Sequence, residues 1–229
     1  ITYIGAFFNN VLFGAYGGDL VKGYYIYKFT KNSLKATLTI LFDRIVGFVG
    51  LFLVGIYSLI SIFDKKIFLI ISFKLILITF LLLVLIIFFI YIIYKKKVFS
   101  NKINKHLNEF IIYLISNKKN ILSFILLSSL LFSIVHISVY IISDIILYFD
   151  LGVKKVFFLN FFTTLVNTVP ITPGGIGIGE IAFVNLNNFF FANQTKFENI
   201  ANIILLYRLI NLVVCLPGAV IYIFQKKKL

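Results

Sequence analysis

Residues 45–63 read IVGFVGLFLVGIYSLISIF, which is 19 consecutive residues without a charge between Arg44 and Asp64. A bilayer core about 30 Å thick needs roughly 20 apolar residues for each helical crossing. Three further uncharged stretches have comparable lengths: 20 residues at 75–94, 24 at 120–143 and 17 at 209–225. The spacing of the charges therefore predicts an all-α fold, a polytopic transmembrane helix bundle.

The composition agrees with that prediction, since 61% of the 229 residues are hydrophobic and 13% are charged. Soluble globular chains average about 45–50% and about 25%. We expect clear spans at about 38–63, 67–94, 121–147 and 200–224, within a single integral membrane domain covering residues 1–229. The chain has no Met and opens inside an apolar stretch, so we expect this domain to be N-terminally incomplete.

The formal net charge of +14 is explained by topology. Short loops rich in Lys and Arg stay in the cytoplasm during insertion. The predicted spans place 14 lysines on one side and only five, mixed with acidic residues, on the other. The prediction is a multi-pass protein of the inner (cytoplasmic) membrane with a cytoplasmic basic C-terminus, and no nucleic acid is expected as a partner.

Residues 95–119 form the long hydrophilic segment of the chain. Apolar residues recur in it at helical spacing: Ile103, Leu107, Phe110, Ile111 and Leu114. We predict an amphipathic cytoplasmic connector that lies on the membrane surface.

The segment NTVPITPGGIGIGE at residues 167–180 interrupts the pattern of long apolar stretches. Proline removes a backbone donor and glycine loosens a helix, and irregular backbone at membrane depth is tolerated only where protein buries it or where it lines a watery cavity. We therefore predict a broken region at 156–195 with two re-entrant half-helices that meet inside the protein. A proline kink with close packing at small residues is the alternative.

Half-helices present free N–H groups and a partial positive charge at their N-terminal ends, which suits an anionic group such as a lipid phosphate. Residues 1–18 combine two asparagines with four glycines in an apolar setting. That mixture is typical of a packed or re-entrant helix rather than of a lipid-facing span.

In the C-terminal half of the sequence, two charged residues lie among apolar residues: Glu180 and Arg208. A carboxylate in such a setting is costly and faces a partner or a cavity. Arginine can hold a carboxylate or a phosphate through two parallel bonds. The two residues are predicted to lie close together, either as a structural ion pair or as part of a substrate site.

A third polar feature consists of two sequence motifs, GGDLVK at residues 17–22 and DRIVG at 43–47. Loop glycines beside Asp19 and Lys22 would make a headgroup-sized site at the cytoplasmic interface, although ordinary interfacial charges are the alternative. Asp43 and Arg44 are adjacent on a helix and point to different faces, so each needs its own neighbour.

No catalytic residue, cofactor site or metal site is expected, because no Cys or His cluster has ligand spacing and no P-loop or nucleophile elbow occurs. His136 could serve a proton relay, but a histidine hydrogen-bonded inside the bundle is the favoured interpretation. Cys215 is interpreted as a small core residue.

Taken together, these segments resemble the flippase-like membrane family that includes the transmembrane region of lysylphosphatidylglycerol synthases. The matching motifs are GGD with a basic residue at 17–22, DR with a glycine at 43–47, PITPGGIGIGE at 170–180, YR at 207–208 and PG at 217–218. The family commonly has Arg where this chain has Lys22, and Ser where it has Thr172.

The resemblance implies binding and translocation of polar or anionic lipids, such as aminoacyl-phospholipids or glycolipids, with membrane lipids as partners. The candidate substrate-binding residues are Asp19, Lys22, Arg44, Pro170, Pro173, Gly174, Gly175, Gly177, Glu180 and Arg208. Two alternatives stay open. One is a membrane-embedded lipid-modifying transferase, phosphatidylglycerol lysyltransferase-like, with Glu180 or Asp43 as base. The other is a non-catalytic membrane partner of a separate lipid-modifying or glycosyltransferase enzyme.

Overall fold

The computed structural model describes residues 1–11, 16–62, 110, 112, 116–149, 151–169, 172, 175–191 and 197–226. These residues form seven α-helices and no strand. A single π-helical segment, Ile141–Ile146, continues the fourth helix. The helices are α1 (Thr2–Val11), α2 (Gly17–Thr30), α3 (Ser33–Ile62), α4 (Lys118–Tyr140), α5 (Val153–Asn167), α6 (Ile178–Phe191) and α7 (Phe197–Lys226).

Within the part of the chain that the structure describes, three helices are long and apolar enough to cross a bilayer. They are Ser33–Ile62 with 30 residues, Lys119–Ile146 with 28 and Ile200–Phe224 with 25. At 1.5 Å per residue, each exceeds the roughly 30 Å of a hydrocarbon core. Three of the four predicted spans are thus confirmed, whereas the span predicted at 67–94 and most of the connector at 95–119 lie outside the described residues.

The three long helices have a fixed relative direction. α3 and α4 run the same way, because Gly50 in the middle of α3 approaches Ser128 and Leu59 near the end of α3 packs in the same core cluster as Val139 near the end of α4. α7 runs the opposite way, because its first turns pack in the same core cluster as Val139 and Ile142 at the end of α4. We call the end at which α3 and α4 begin and α7 finishes the basic end, since it carries Lys31, Lys35 and Lys119.

α5 and α6 form a short antiparallel hairpin between the long helices. They have 15 and 14 residues, or roughly 22 Å each, which is too short to cross a hydrocarbon core. The ring of Phe158 contacts those of Phe190 and Phe191, which joins the two helices far from the basic end. Residues 156–161 of α5 are all buried, so this part of the helix is enclosed by protein on every side. This hairpin is the broken, re-entrant element predicted at 156–195.

α1 and α2 form a second short hairpin that reaches inward from the basic end. Their backbones nearly touch, because a Cβ at Gly18 would overlap the carbonyl oxygen of Gly5. The side chain of Asn9 accepts a hydrogen bond of 2.7 Å from the Gly18 N–H. α1 packs on α7, where a Cβ at Gly218 would meet the Tyr3 carbonyl. The prediction of a packed or re-entrant helix at residues 1–18 is confirmed for the part that the structure describes.

The apolar core lies in the half of the bundle away from the basic end. Its fully buried members come from α4 to α7 and include Val139, Phe158, Leu159, Phe183, Ile200 and Ile203. The Asp19–Arg44 and Glu180–Arg208 ion pairs lie outside this cluster, around the inner ends of the two hairpins. The half-buried Asp144 lies at the core end, where it accepts hydrogen bonds from the N–H groups of Leu151 and Gly152. The fold thus places these two ion pairs apart from the apolar core.

Candidate functional site

Arg208 on α7 holds the inner end of the α5–α6 hairpin. Its Nη2 donates to the carbonyl oxygen of Gly175 at 2.6 Å and to Oδ1 of Asn167 at 3.2 Å. Its Nε lies 3.3 Å from Oε1 of Glu180. The guanidinium therefore joins the end of α5, the loop and the start of α6, and the predicted closeness of Glu180 and Arg208 is confirmed.

Glu180 also builds the start of α6. Its Oε2 accepts a hydrogen bond of 2.8 Å from the N–H of Gly177, as the glutamate of a capping box does when it reaches back three residues. Gly175 and Gly177 have φ angles of +73° and +86°, a region that L side chains rarely adopt. Both carboxylate oxygens of Glu180 are therefore engaged, one in capping the helix and one in the ion pair.

The glycine-rich loop makes room for Arg208. A Cβ at Gly179 would meet Nη2 of Arg208, and one at Gly175 would come within 2.5 Å of Oδ1 of Asn167. Both positions therefore need glycine if the guanidinium is to reach the backbone. The predicted site residues Pro170, Pro173 and Gly174 lie outside the described residues.

A second charged cluster lies nearer the basic end, between α2 and α3. Nε of Arg44 is 2.5 Å from Oδ2 of Asp19, and Nζ of Lys22 is 3.1 Å from Oδ2 of Asp43. Arg44 also stacks over the ring of Tyr16, with 5.0 Å from Cζ to the ring centroid. The prediction that Asp43 and Arg44 need different neighbours is confirmed.

A cavity of about 380 Å³ extends from the second charged cluster toward the Glu180–Arg208 pair, and we call it the polar cavity. Eight of its twelve lining residues are polar or charged: Asn9, Asp19, Lys22, Asp43, Arg44, Thr164, Asn167 and Thr168. Its inner wall is Asn167, whose side chain also accepts the bond from Arg208. The polar cavity thus brings Asp19, Lys22 and Arg44 together and ends one side chain short of the Glu180–Arg208 pair.

Asn9 and Asn167 are site residues that lie in segments noted from the sequence but were not predicted as candidate binding residues. Each lies near the inner end of a short hairpin, next to the glycine-containing segment that was singled out. Asparagine is uncommon in apolar helices because its unpaired amide is costly there. The signal available in the sequence for these site residues was an asparagine immediately beside a helix-breaking motif.

His136 lies apart from the polar cavity. It is fully buried, and its Nδ1 is 2.7 Å from the carbonyl oxygen of Phe132. A carbonyl can only accept, so Nδ1 carries the proton. This is the hydrogen-bonded histidine favoured from the sequence. Among the described residues, no three His, Cys, Asp or Glu side chains are grouped as metal ligands.

The two ion pairs of the second cluster should differ in their contribution to stability. The side chain of Asp19 is 11% exposed and that of Asp43 is 66% exposed. We expect Asp19→Asn to cost about 2 kcal/mol, as the loss of a hydrogen bond to a charged group does. Asp43→Asn should cost less than about 1 kcal/mol, the usual range of an exposed pair.

The comparison can be made through Cys215, which is buried and is the one cysteine of the chain. A fluorogenic maleimide reports unfolding in detergent when that thiol becomes accessible. Equal unfolding midpoints for Asp19→Asn and Asp43→Asn would contradict the asymmetry between the pairs.

Neither the comparison with curated proteins nor the comparison with solved structures found a match. The family comparison did find one, which covers residues 1–218 and therefore nearly the whole chain. The protein belongs to the family described as the lysylphosphatidylglycerol synthase TM region.

Proposed function

We propose that this protein binds and translocates polar lipids across the inner membrane, with the headgroup in the polar cavity and the basic end in the cytoplasm. The lipid class is an anionic or aminoacylated phospholipid, or a glycolipid. The observation that carries the proposal is a cavity of about 380 Å³ that begins among charged residues and ends at a broken helix pair. Charged groups within a membrane are costly, and they characteristically line the path of a polar substrate.

The charges on the cavity wall suit a headgroup that carries both signs. Its lining includes two carboxylates and two cationic side chains, already paired with one another. A phosphate can take the place of a carboxylate on Lys22 or Arg44, because arginine and lysine bind both groups. The released Asp19 or Asp43 can then hold an ammonium or a sugar hydroxyl of the headgroup.

Arg208 offers a further contact at the inner end. Its Nη1 is buried and has no hydrogen-bond partner among the described residues, and the same holds for Oγ1 of Thr172 in the loop. A buried donor without a partner is costly. A phosphate could accept from Nη1 through one oxygen and, by displacing Asn167, from Nη2 through another, while Glu180 keeps the guanidinium in place.

The interactions of the Glu180 carboxylate support a role in holding the Arg208 guanidinium in place over a role as a catalytic base. A general base needs a free oxygen within reach of the substrate proton. Both oxygens of Glu180 have partners, Arg208 and the Gly177 N–H. Transport is therefore the proposal, and a transferase using Glu180 as base is the less suited alternative.

The test is lipid translocation in vesicles. The protein is reconstituted with phosphatidylglycerol bearing a fluorophore, and dithionite quenches the label that reaches the outer leaflet. We expect the double variant Glu180→Ala with Arg208→Ala to lose roughly tenfold to a hundredfold in rate, since a lost charged hydrogen bond weakens a site by about 1.5–3 kcal/mol. The double variant is used because removing both partners leaves no unpaired charge.

Lys154→Ala is the matched control, because it removes an exposed charge at the start of α5, outside the polar cavity. Unchanged translocation in a folded double variant would sink the site assignment. New lipid species seen by mass spectrometry would instead favour a transferase. A stable complex with a lipid-modifying enzyme, together with no translocation by the protein, would favour the partner role.

A further inference from the structure

A second cavity lies beside the polar cavity, between α2, α3 and α4. Its volume is about 520 Å³, within the range of small-molecule sites. Eight of its fourteen lining residues are apolar. We call it the apolar groove, and its walls include Ile40, Val46, Phe124, Leu127 and Leu131.

The two cavities share a boundary formed by Lys22, Asp43 and Gly47, which line both. A Cβ placed on Gly47 would meet no atom within 4 Å. The space beside this glycine is therefore open. Among the residues that the structure describes, the Lys22–Asp43 pair is the other part of the boundary between the polar cavity and the apolar groove.

The Lys22–Asp43 pair can separate at little cost. Its side chains are 20% and 66% exposed, and exposed ion pairs contribute about 0–1 kcal/mol. The stem of Lys22 is held against α1, since a Cβ at Gly5 would come within 2.8 Å of its Cγ and Cε. The amine is thus carried on an anchored stem and can change partner without movement of the helices.

We propose that the apolar groove binds a hydrocarbon chain of the same lipid whose headgroup occupies the polar cavity, and that the Lys22–Asp43 pair marks the passage between them. The inference rests on the proposed function and adds where the chain lies. A lipid is polar at one end and apolar at the other, and adjoining polar and apolar cavities match that order. Hydrocarbon in the groove would gain about 25 cal/mol for each Å² it removes from water.

The test uses phosphatidylglycerol with a photoreactive diazirine in its acyl chain, in vesicles of phosphatidylethanolamine and phosphatidylglycerol containing the reconstituted protein. Labelled residues are identified by peptide mass spectrometry. The readout is labelling of Val46 and Leu127 in the groove relative to Leu130, which is 55% exposed and lines neither cavity.

Gly47→Trp is the decisive variant, because its side chain would fill the open space between the cavities. We expect the relative groove labelling to fall roughly tenfold, the change produced by losing about 1.4 kcal/mol of binding. Val49→Trp is the control, since Val49 lies two residues further along α3 and lines neither cavity. Thr39→Trp should also reduce labelling, because it narrows the groove from its other end.

The outcomes separate this inference from the proposed function. Groove labelling that matches Leu130 and is unchanged by Gly47→Trp and by Thr39→Trp, in variants that stay folded, would overturn the inference even if lipid is translocated. Groove labelling that is lost in Gly47→Trp and retained in Val49→Trp would support it, even if the wild-type protein translocates nothing. Translocation measured in the same vesicles tests the proposed function separately.

Discussion

Replacing Arg208 by leucine is expected to lower the thermal unfolding midpoint in detergent by roughly 10 °C, from a cost of about 3–5 kcal/mol. The guanidinium is the shared donor for the carbonyl of Gly175 and the amide of Asn167, and it is the partner of Glu180. The side chain of Glu180 is 11% exposed. Without Arg208 this carboxylate stays nearly buried and loses its counter-charge, which is the costly way to break such a pair.

Two substitutions of Glu180 separate the stability contributed by its charge from the stability contributed by its helix cap. Glu180→Gln removes the charge, but its amide oxygen can still accept from the Gly177 N–H, whereas Glu180→Ala removes both interactions. The midpoint should therefore fall less in Glu180→Gln than in Glu180→Ala, by the equivalent of about 1 kcal/mol for the lost cap. The reaction of Cys215 with a maleimide measures all three variants. An Arg208→Leu protein as stable as the wild type would show that the pair does not hold the hairpin.

The long helices could be predicted from the spacing of charges because a bilayer imposes a length on any helix that crosses it. The broken hairpin could be predicted for a similar reason. The glycines and prolines at 170–180 would leave unsatisfied backbone groups in lipid, so they had to be enclosed. In both cases the bilayer imposes the requirement on one segment at a time, so the sequence of that segment was enough for the prediction.

The ion pairs between α2 and α3 could not be predicted in this way. Because Asp43 and Arg44 are adjacent on one helix, they must have separate neighbours. The identity of those neighbours depends on the register of α2 against α3. That register is set by the turn between them, where Lys31 adopts a φ of 52°. Asn32 then accepts bonds from the N–H groups of Leu34 and Lys35 and starts α3. The sequence shows turn-forming residue types there, but not the angle at which the two helices meet.

The role of Asn167 is a second example. Its position at the end of α5 is visible in the sequence, but its function comes from facing Arg208, which is 41 residues away. The polar cavity likewise exists only because α1, α2, α3, α4 and α5 place side chains around one space. Cavities are products of packing, and no local pattern encodes their walls.

Replacing Gly18 by alanine is expected to cost about 3 kcal/mol, the upper end of the usual range for overpacking. A Cβ there would overlap the carbonyl oxygen of Gly5, which is backbone and cannot turn aside, and would press on the side chain of Asn9. The α1–α2 hairpin would have to open, and the hydrogen bond from the Gly18 N–H to Asn9 would be lost. The unfolding midpoint, read through Cys215, should fall by at least as much as in Asp19→Asn.

Gly47→Ala is the matched control, because it makes the same chemical change in another helix where a Cβ would meet nothing within 4 Å. Alanine favours a helix over glycine by about 1 kcal/mol, so Gly47→Ala should keep or raise the midpoint. If helix propensity alone decided the outcome, both variants would be at least as stable as the wild type. If any side chain added near the cavity were destabilising, both variants would be less stable than the wild type. Opposite signs for Gly18→Ala and Gly47→Ala follow only if α1 and α2 approach closely at Gly18, while the space beside Gly47 is open.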